Sequence, residues 1–251
     1  MSVITPIREV DLDFDNGFFD SASFAAQTLA SWQTLAAVID HTLLKPDATR
    51  DQVESLCDEA IRYRFACAMV NPVWASAAVS VLSGTSIPVG VTIGFPLGAS
   101  LVSTLRQEAT ALARLGVREL DMVMPIGQLK SGNYHAVQLS IHAAAMVAHH
   151  HGALLKVILE TALLNVEEKL RASEIAIQAG ADFIKTSTGF STGGATPADV
   201  ALMRGVAGAR VGVKAAGGIR TLADVRALLE AGANRIGASA SVAIVRELGA
   251  E

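Results

Sequence analysis

Short apolar runs alternate with longer amphipathic segments along the chain from Val38 onward. Apolar runs bounded by turn residues are typical of buried parallel strands, and apolar residues at helical spacing predict helices. This alternation predicts repeated strand–helix units around a parallel sheet. Eight strands are predicted, at Ala37–Leu44, Phe65–Val70, Val89–Phe95, Glu119–Met124, Leu154–Glu160, Phe183–Thr188, Gly212–Gly217 and Arg235–Ser239.

Capping residues mark several of the predicted helices. Thr49 precedes one amphipathic segment and Thr221 another, and a threonine hydroxyl caps a helix by accepting a hydrogen bond from a first-turn N–H. Glycines that end a helix just before a strand stand at Gly116, Gly180 and Gly232. Eight such units in about 215 residues predict a (β/α)8 TIM barrel of the α/β class, because doubly wound sheets usually have fewer strands.

The 251-residue length suits one barrel domain, which we place at 36–251. Residues 1–35 stand outside the repeat and are predicted to form a partly helical N-terminal extension, with one short helix near Ser21–Leu35. Its aromatic side chains could form a contact between subunits or fill the bottom of the barrel. The first alternative predicts a homo-oligomer, specifically a dimer. These aromatic residues are Phe14, Phe18, Phe19 and Phe24.

The composition excludes several classes of partner. Twenty basic residues against 24 acidic ones give a net charge of −4 without a basic cluster, so nucleic acid is not expected to bind. The stretch from Phe65 to Leu105 has no charged residue, but prolines and glycines interrupt it too often for a membrane helix. Two cysteines do not make a disulfide framework, and the first 20 residues lack a secretory signal, so we expect a cytoplasmic protein.

The strongest chemical signal is the position of the lysines. Three of the six, Lys156, Lys185 and Lys214, lie in consecutive predicted strands, although lysine is rarely buried without a partner or a function. Two ammonium groups about 5 Å apart repel by roughly 3 kcal/mol at an effective dielectric constant near 20, so one of them should be largely neutral. A neutral amine attacks carbonyl carbon to form a Schiff base, which predicts a class I aldolase. The spacing does not choose between Lys185 and Lys214.

Acidic residues in the strands are the candidate partners for these lysines. Strand alternation places Asp121 opposite Leu120 and Met122, so its carboxylate is expected to point into the barrel and to take part in proton transfer. Asp40 and Glu160 are further acids facing inward or at the rim. Either could act in catalysis or simply neutralise a core lysine.

Glycine-rich loops after the last strands predict a phosphate site. Barrels often bind phosphate there through backbone N–H groups and a helix N-terminus. A further glycine-rich loop, after the sixth strand, is expected to be a mobile active-site loop. His149–His151 follow a helix and precede Gly152, which favours a helix end over a metal site, so no metal is expected. The candidate substrate-binding residues are Gly189, Gly217, Gly218, Gly237 and Ser239.

Several segments together resemble the deoxyribose-phosphate aldolase family, in the same order along the chain and over about Val38–Val245. The resemblance implies reversible cleavage of 2-deoxy-D-ribose 5-phosphate to acetaldehyde and D-glyceraldehyde 3-phosphate, without a metal or an organic cofactor. Its small-molecule partners would be aldehydes and a sugar phosphate. The matching segments are Asp40–Leu44, Val70–Pro72, Leu155–Thr161, Phe183–Gly189 and Val213–Arg220.

The same resemblance implies a role for individual residues. Lys185 would form the imine, Lys214 would depress the pKa of Lys185 and assist proton transfer, and Asp121 with a water molecule would carry the protons. Lys156, Asp40 and Thr188 would support these groups.

Two positions depart from the family pattern. Phe190 stands where members often have a lysine near the phosphate, and Ala240 replaces the second serine of a GASS-like loop. We therefore expect a weaker preference for phosphorylated substrates. Three alternatives remain open: another lysine-dependent barrel aldolase, a zinc-dependent aldolase, and a non-catalytic barrel that binds sugar phosphates.

Overall fold

The structure is a computed structural model and describes residues 17–251. Eight parallel strands pair in chain order and close into a barrel, which confirms the predicted (β/α)8 architecture. Each observed strand lies inside a predicted one, but the sixth ends at Lys185 and not at Thr188. The strands are β1 Ile39–Leu43, β2 Cys67–Val70, β3 Val89–Ile93, β4 Glu119–Val123, β5 Leu154–Ile158, β6 Phe183–Lys185, β7 Gly212–Ala216 and β8 Arg235–Ala238.

Helices surround the barrel and follow the caps that the sequence predicts. Thr49 and Thr221 each accept a hydrogen bond from the backbone N–H three residues on, and both form capping boxes. The helices are α1 Ser21–Thr28, α2 Trp32–Ala36, α3 Arg50–Tyr63, α4 Ala75–Val81, α5 Val102–Leu115, α6 Ile126–Lys130, α7 Tyr134–His150, α8 Val166–Gln178, α9 Pro197–Ala207, α10 Leu222–Glu230 and α11 Ser241–Glu247. No helix within residues 17–251 is long and apolar enough to cross a membrane.

The segment before β1 contains two short helices, α1 and α2, so the prediction of a single helix was wrong. The chain leaves α1 at Leu29 and starts α2 from Ser31, whose hydroxyl accepts a hydrogen bond from the Thr34 N–H. Ser31 and Thr34 form a capping box, which makes this break a new helix start. The boundary at residue 36 falls inside α2, where Leu35 and Ala36 are completely buried.

The aromatic residues of this segment have different environments. Phe18 is 88% exposed, whereas the guanidinium of Arg204 lies 4.1 Å from the centre of the Phe19 ring. Phe24 packs against the hydrophobic core. Phe14 lies outside the described residues.

Alternation along the strands separates the apolar layer from the barrel interior. In β4, Leu120 and Met122 belong to the main hydrophobic core, while Glu119 and Asp121 contact cationic side chains from other strands. The interior of the barrel therefore holds buried charge, and the carboxyl ends of all eight strands open at one mouth.

Candidate active site

Asp121 lies at the centre of the barrel and contacts all three strand lysines. Its Oδ1 accepts a hydrogen bond from Lys156 Nζ at 2.7 Å, and its Oδ2 accepts from Lys185 Nζ at 2.7 Å and from Lys214 Nζ at 2.8 Å. All four side chains are at least 96% buried. The predicted cluster of lysines around one inward-facing acid is therefore present in the structure.

Two more acids and one arginine extend this cluster. Lys214 Nζ donates a short hydrogen bond to Asp40, and Arg235 Nη1 donates to the other Asp40 oxygen at 2.8 Å. Glu119 lies 2.6 Å from Lys156 Nζ and 3.5 Å from Arg235 Nη2. Asp40 thus pairs with Lys156 and Lys214. This agrees with one of the two roles considered from the sequence, the neutralisation of a core lysine.

The charges of this cluster do not balance when every group is ionised. Uncompensated buried charge is costly, because the interior solvates ions poorly. The network becomes neutral overall when one lysine gives up its proton. Four cationic side chains, Lys156, Lys185, Lys214 and Arg235, face three carboxylates, Asp40, Glu119 and Asp121.

Lys185 is the lysine best placed to be neutral. Burial lowers its pKa to about 8, and although Asp121 opposes this shift, the positive charge of Lys214 adds to it. Lys156 behaves in the opposite way: burial disfavours its charge, yet Asp121, Glu119 and Asp40 together raise its pKa well above the ordinary value. The pKa of Asp121 is well below its usual range, because the three lysines outweigh the effect of burial.

The strand register explains why these lysines differ. Lys185 pairs directly with Lys214, but Lys156 pairs with Phe183, two residues earlier on β6. Lys156 is therefore one pleat deeper in the barrel than Lys185. Lys185 is also the last residue of β6, so it stands at the carboxyl end of the barrel.

A cavity of about 280 Å³ opens at this end of the barrel, and Lys185 lines it. Of the three clustered lysines, Lys185 alone contributes to the lining. The predicted substrate-binding residues all lie on this cavity, although they come from three different places in the chain: the loop after β6, the loop after β7, and the end of β8 with the residue that follows it. They are Gly189, Gly217, Gly218, Gly237 and Ser239, and Thr188 and Phe190 line the cavity beside them.

Glu160 holds the loop after β6 and contacts no lysine. Its Oε2 accepts hydrogen bonds from the Thr188 hydroxyl at 2.5 Å and from the Thr188 N–H at 3.2 Å. The suggestion that Glu160 neutralises Lys156 or Lys214 was therefore wrong. The Thr188 hydroxyl in turn accepts a hydrogen bond from the Phe190 N–H at 3.0 Å. Thr188 thus connects Glu160 to the residues that line the cavity.

Two positions of the site favour glycine, one because of close packing and the other because of its backbone conformation. A Cβ on Gly237 would lie 2.9 Å from Cε of Lys214, so its absence leaves room for the lysine side chain. Gly217 has a φ of +90°, and its carbonyl oxygen accepts a hydrogen bond from the Ala195 N–H at 3.0 Å. This hydrogen bond joins the loop after β6 to the loop after β7 beside the cavity.

Two members of the network, Glu119 and Arg235, were not predicted from the sequence. Glu119 precedes Asp121 by two residues, and Arg235 precedes Gly237 by two, so strand alternation assigns each to the inward face. That signal was available. The contact of Arg235 with Asp40 joins residues 195 positions apart and arises because β8 closes the barrel against β1.

Metal-binding chemistry fits this site poorly. Within residues 17–251, one group of buried donors lies close enough to share an ion: Asp40, Cys67 and Glu119. Both carboxylates already pair with lysine and arginine side chains, and burial raises the pKa of the Cys67 thiol well above its usual value. A protonated thiol is a weak ligand. His149 of the histidine tract instead contacts Asp182, at 3.0 Å.

The fold and site define a class of enzyme, a (β/α)8 barrel with lysine amines buried around one carboxylate beside a cavity at the mouth of the barrel. Residues 34–247 match the family model described as DeoC/LacD family aldolase. The chain belongs to this family.

Named relatives agree with this assignment. The chain is 51% identical to a deoxyribose-phosphate aldolase from Lysinibacillus sphaericus over 216 residues, which cover 86% of this chain and 96% of the relative. It is 52% identical to one from Listeria monocytogenes over 212 residues, which cover 84% and 95%. The solved deoxyribose phosphate aldolase of Aeropyrum pernix, described as tetrameric, superposes with a TM-score of 0.84 at 34% identity, covering 91% of this chain and 96% of that one.

Proposed function

We propose that the chain cleaves 2-deoxy-D-ribose 5-phosphate reversibly into acetaldehyde and D-glyceraldehyde 3-phosphate, through an imine on Lys185. One observation carries the proposal: the Lys185 amine has its pKa lowered to about 8 and lines a cavity of about 280 Å³. The deoxyribose-phosphate aldolase relatives support the choice of substrate.

In the proposed reaction, the neutral Lys185 amine attacks C1 of the open-chain sugar. Loss of water from the carbinolamine leaves a protonated imine, which withdraws electrons from the neighbouring carbon. The C2–C3 bond then breaks, its electron pair forms an enamine, and the C3 hydroxyl loses its proton to a base. D-Glyceraldehyde 3-phosphate leaves, C2 is protonated, and water releases acetaldehyde from Lys185.

The neighbouring charges suit these proton transfers. Asp121 Oδ2 accepts hydrogen bonds from both Lys185 and Lys214, so a proton has a short path between the two amines and the carboxylate. We assign Asp121, with a water molecule, to carry protons in the carbinolamine and enamine steps. Lys214 lowers the pKa of Lys185 by repulsion, which increases the neutral fraction of Lys185, and it assists these transfers, while Lys156 and Asp40 hold Asp121 and Lys214 in place.

The cavity also supports a reduced requirement for the phosphate. Backbone N–H groups of the glycine-rich loops would bind the phosphate, but Phe190 supplies an aromatic ring that stands edge-on to Phe95 at 5.2 Å, where the family often has a cation. A missing charge-assisted hydrogen bond weakens binding by about 1.5–3 kcal/mol, or roughly ten- to a hundredfold. Comparing kcat/KM for deoxyribose 5-phosphate and deoxyribose tests this. A preference of many thousandfold would contradict the proposal.

Borohydride trapping with acetaldehyde tests the assignment of the nucleophile. Reduction should place an ethyl group on Lys185, found by peptide mass spectrometry, and Lys185→Met should lose both the label and the cleavage activity. Labelling at another lysine would favour a different lysine-dependent aldolase. Loss of activity in chelator would favour a zinc-dependent aldolase. A Lys185→Met protein that still cleaves the sugar would overturn the proposal, and a wild-type protein that binds the sugar without cleaving it would favour the non-catalytic barrel.

We further propose a homodimer in the cytoplasm, with the barrel at 36–251 as the catalytic domain and residues 1–35 as an extension. The 88% exposed Phe18 in the extension supports a subunit contact there. Light scattering should give twice the chain mass of 26.1 kDa, and Phe18→Ser should weaken the association. Cell fractionation would check the compartment. A monomeric wild-type protein at assay concentration would contradict the dimer.

A further inference from the structure

The cavity at the mouth of the barrel has a second cationic side chain besides Lys185. This is Lys45, which follows β1 and lines the cavity together with the glycine-rich loops. Among the described residues of the lining there is no carboxylate. The electrostatic environment of the cavity therefore favours an anion.

The backbone around Lys45 is held in place. The Asn71 side chain donates hydrogen bonds to the carbonyl oxygens of Leu44 at 3.1 Å and Lys45 at 3.4 Å. Because the barrel closes by pairing β1 with β8, the loop that carries Lys45 adjoins the loop that carries Ser239, and both line the cavity. Lys45 thus approaches the predicted phosphate loops from a different strand.

The Lys45 ammonium group is available to a ligand. Other exposed or half-buried lysines pair with acids, as Lys130 does with Glu168 and Lys169 with Asp199. In the part of the chain from residue 17 to 251, no ion pair or hydrogen bond engages the Lys45 side chain, and the exposed Asp47 nearby forms no pair with it.

We infer that Lys45 binds the phosphate of the substrate and determines how strongly the enzyme prefers phosphorylated sugars. The inference rests on the proposed function and adds a residue to it. Lys45 supplies a charge to the cavity from the side of β1, while the lining residues of the loop after β6, Thr188, Gly189 and Phe190, carry no charge. The preference of the enzyme for deoxyribose 5-phosphate over deoxyribose would then depend on the positive charge of Lys45.

Lys45→Met tests the inference through a ratio of two substrates. An exposed pair of single charges changes an equilibrium by up to about fivefold, and a phosphate carries a charge of about −1.5 to −2. Because the free energy scales with the charge, we expect a loss of up to roughly ten- to twenty-five-fold. The loss should fall on kcat/KM for deoxyribose 5-phosphate and leave the value for deoxyribose unchanged. Lys45→Arg should keep the preference, and inorganic phosphate should inhibit deoxyribose cleavage less in Lys45→Met than in the wild type.

Arg50→Met is the matched control, because Arg50 is an exposed cation five residues further on that does not line the cavity. It should leave the ratio unchanged, and added salt should lower the ratio in the wild type but not in Lys45→Met. An unchanged ratio in Lys45→Met, with trapping at Lys185 intact, would overturn the inference alone. Absence of trapping in the wild type would instead overturn the proposed function.

Discussion

Replacing Lys214 with methionine should raise the pKa of Lys185 and slow imine formation at neutral pH. Both ammonium groups contact Oδ2 of Asp121, at 2.7 and 2.8 Å, so their nitrogens are no more than 5.5 Å apart. At this distance two charges repel by about 3 kcal/mol at an effective dielectric constant of 20, which corresponds to a pKa change of up to about 2. In the variant, Asp121 also attracts Lys185 without competition from Lys214, and this acts in the same direction.

The consequence for the rate follows from the neutral fraction of the amine. With a pKa of about 8, Lys185 is roughly 9% neutral at pH 7, and the fraction rises with pH until it levels off above the pKa. A pKa higher by about 2 reduces the neutral fraction to roughly 0.1%, so trapping with acetaldehyde and cyanoborohydride should slow by up to about a hundredfold. The rise in the rate should move to more alkaline pH.

The assay measures the initial rate of trapping at Lys185 across pH, which requires imine formation but not carbon–carbon cleavage. Lys214→Arg keeps the charge and should keep the wild-type profile. Lys156→Met removes a lysine that contacts the other Asp121 oxygen and should move the profile less. Thermal melting and circular dichroism check that each variant is folded. A Lys214→Met profile still centred near pH 8 would refute the argument that the Lys214 charge lowers the pKa of Lys185.

Three further substitutions test the packing and charge of the site. Gly237→Ala places a methyl group 2.9 Å from Cε of Lys214, so it should displace that lysine, cost about 1–3 kcal/mol in urea unfolding and lower kcat at least tenfold. Arg235→Met removes one hydrogen-bonded partner of Asp40 but leaves three lysines against three carboxylates, so it should lower the free energy of unfolding by about 1.5–3 kcal/mol, whereas an unchanged melting temperature would mean that the pair contributes nothing. Phe190→Lys adds a cation to the cavity and should raise the preference for deoxyribose 5-phosphate about ten- to a hundredfold, measured as the ratio of kcat/KM values, and no change would show that the residue-190 side chain does not reach the phosphate.

Local patterns predicted the secondary structure well, because strands and helix caps depend mainly on residues close together in the sequence. Apolar runs and caps such as Thr49 and Thr221 located the strands and several helix ends. The prediction failed in the segment before β1, where the local pattern did not distinguish one helix from two and Ser31 starts a second helix. It also extended β6 three residues beyond Lys185, to Thr188, whose backbone N–H donates to the Glu160 side chain and not to a neighbouring strand.

The candidate site was predictable to the extent that it follows strand alternation. The rule that alternate residues share a face correctly placed Asp121 among the lysines, and it also applies to Glu119 and Arg235, which were overlooked. Charged residues at strand starts are commonly solvated, so their burial here depends on contacts between distant strands. Strand alternation did not place Glu160 correctly. Its backbone has a φ of +58°, and its side chain contacts Thr188 and not the lysine cluster.

Periodicity and residue type are local properties, and they were enough to predict eight strand–helix units, three lysines in consecutive strands and an inward-facing acid. The features that distinguish Lys185 from the other two lysines became visible in the three-dimensional structure. Closure of the barrel brings four cations and three carboxylates together, so that one lysine is driven towards neutrality. Lys185, at the end of β6, is the one that also opens onto the cavity. Charge balance and exposure are collective properties, and spacing along the chain does not contain them.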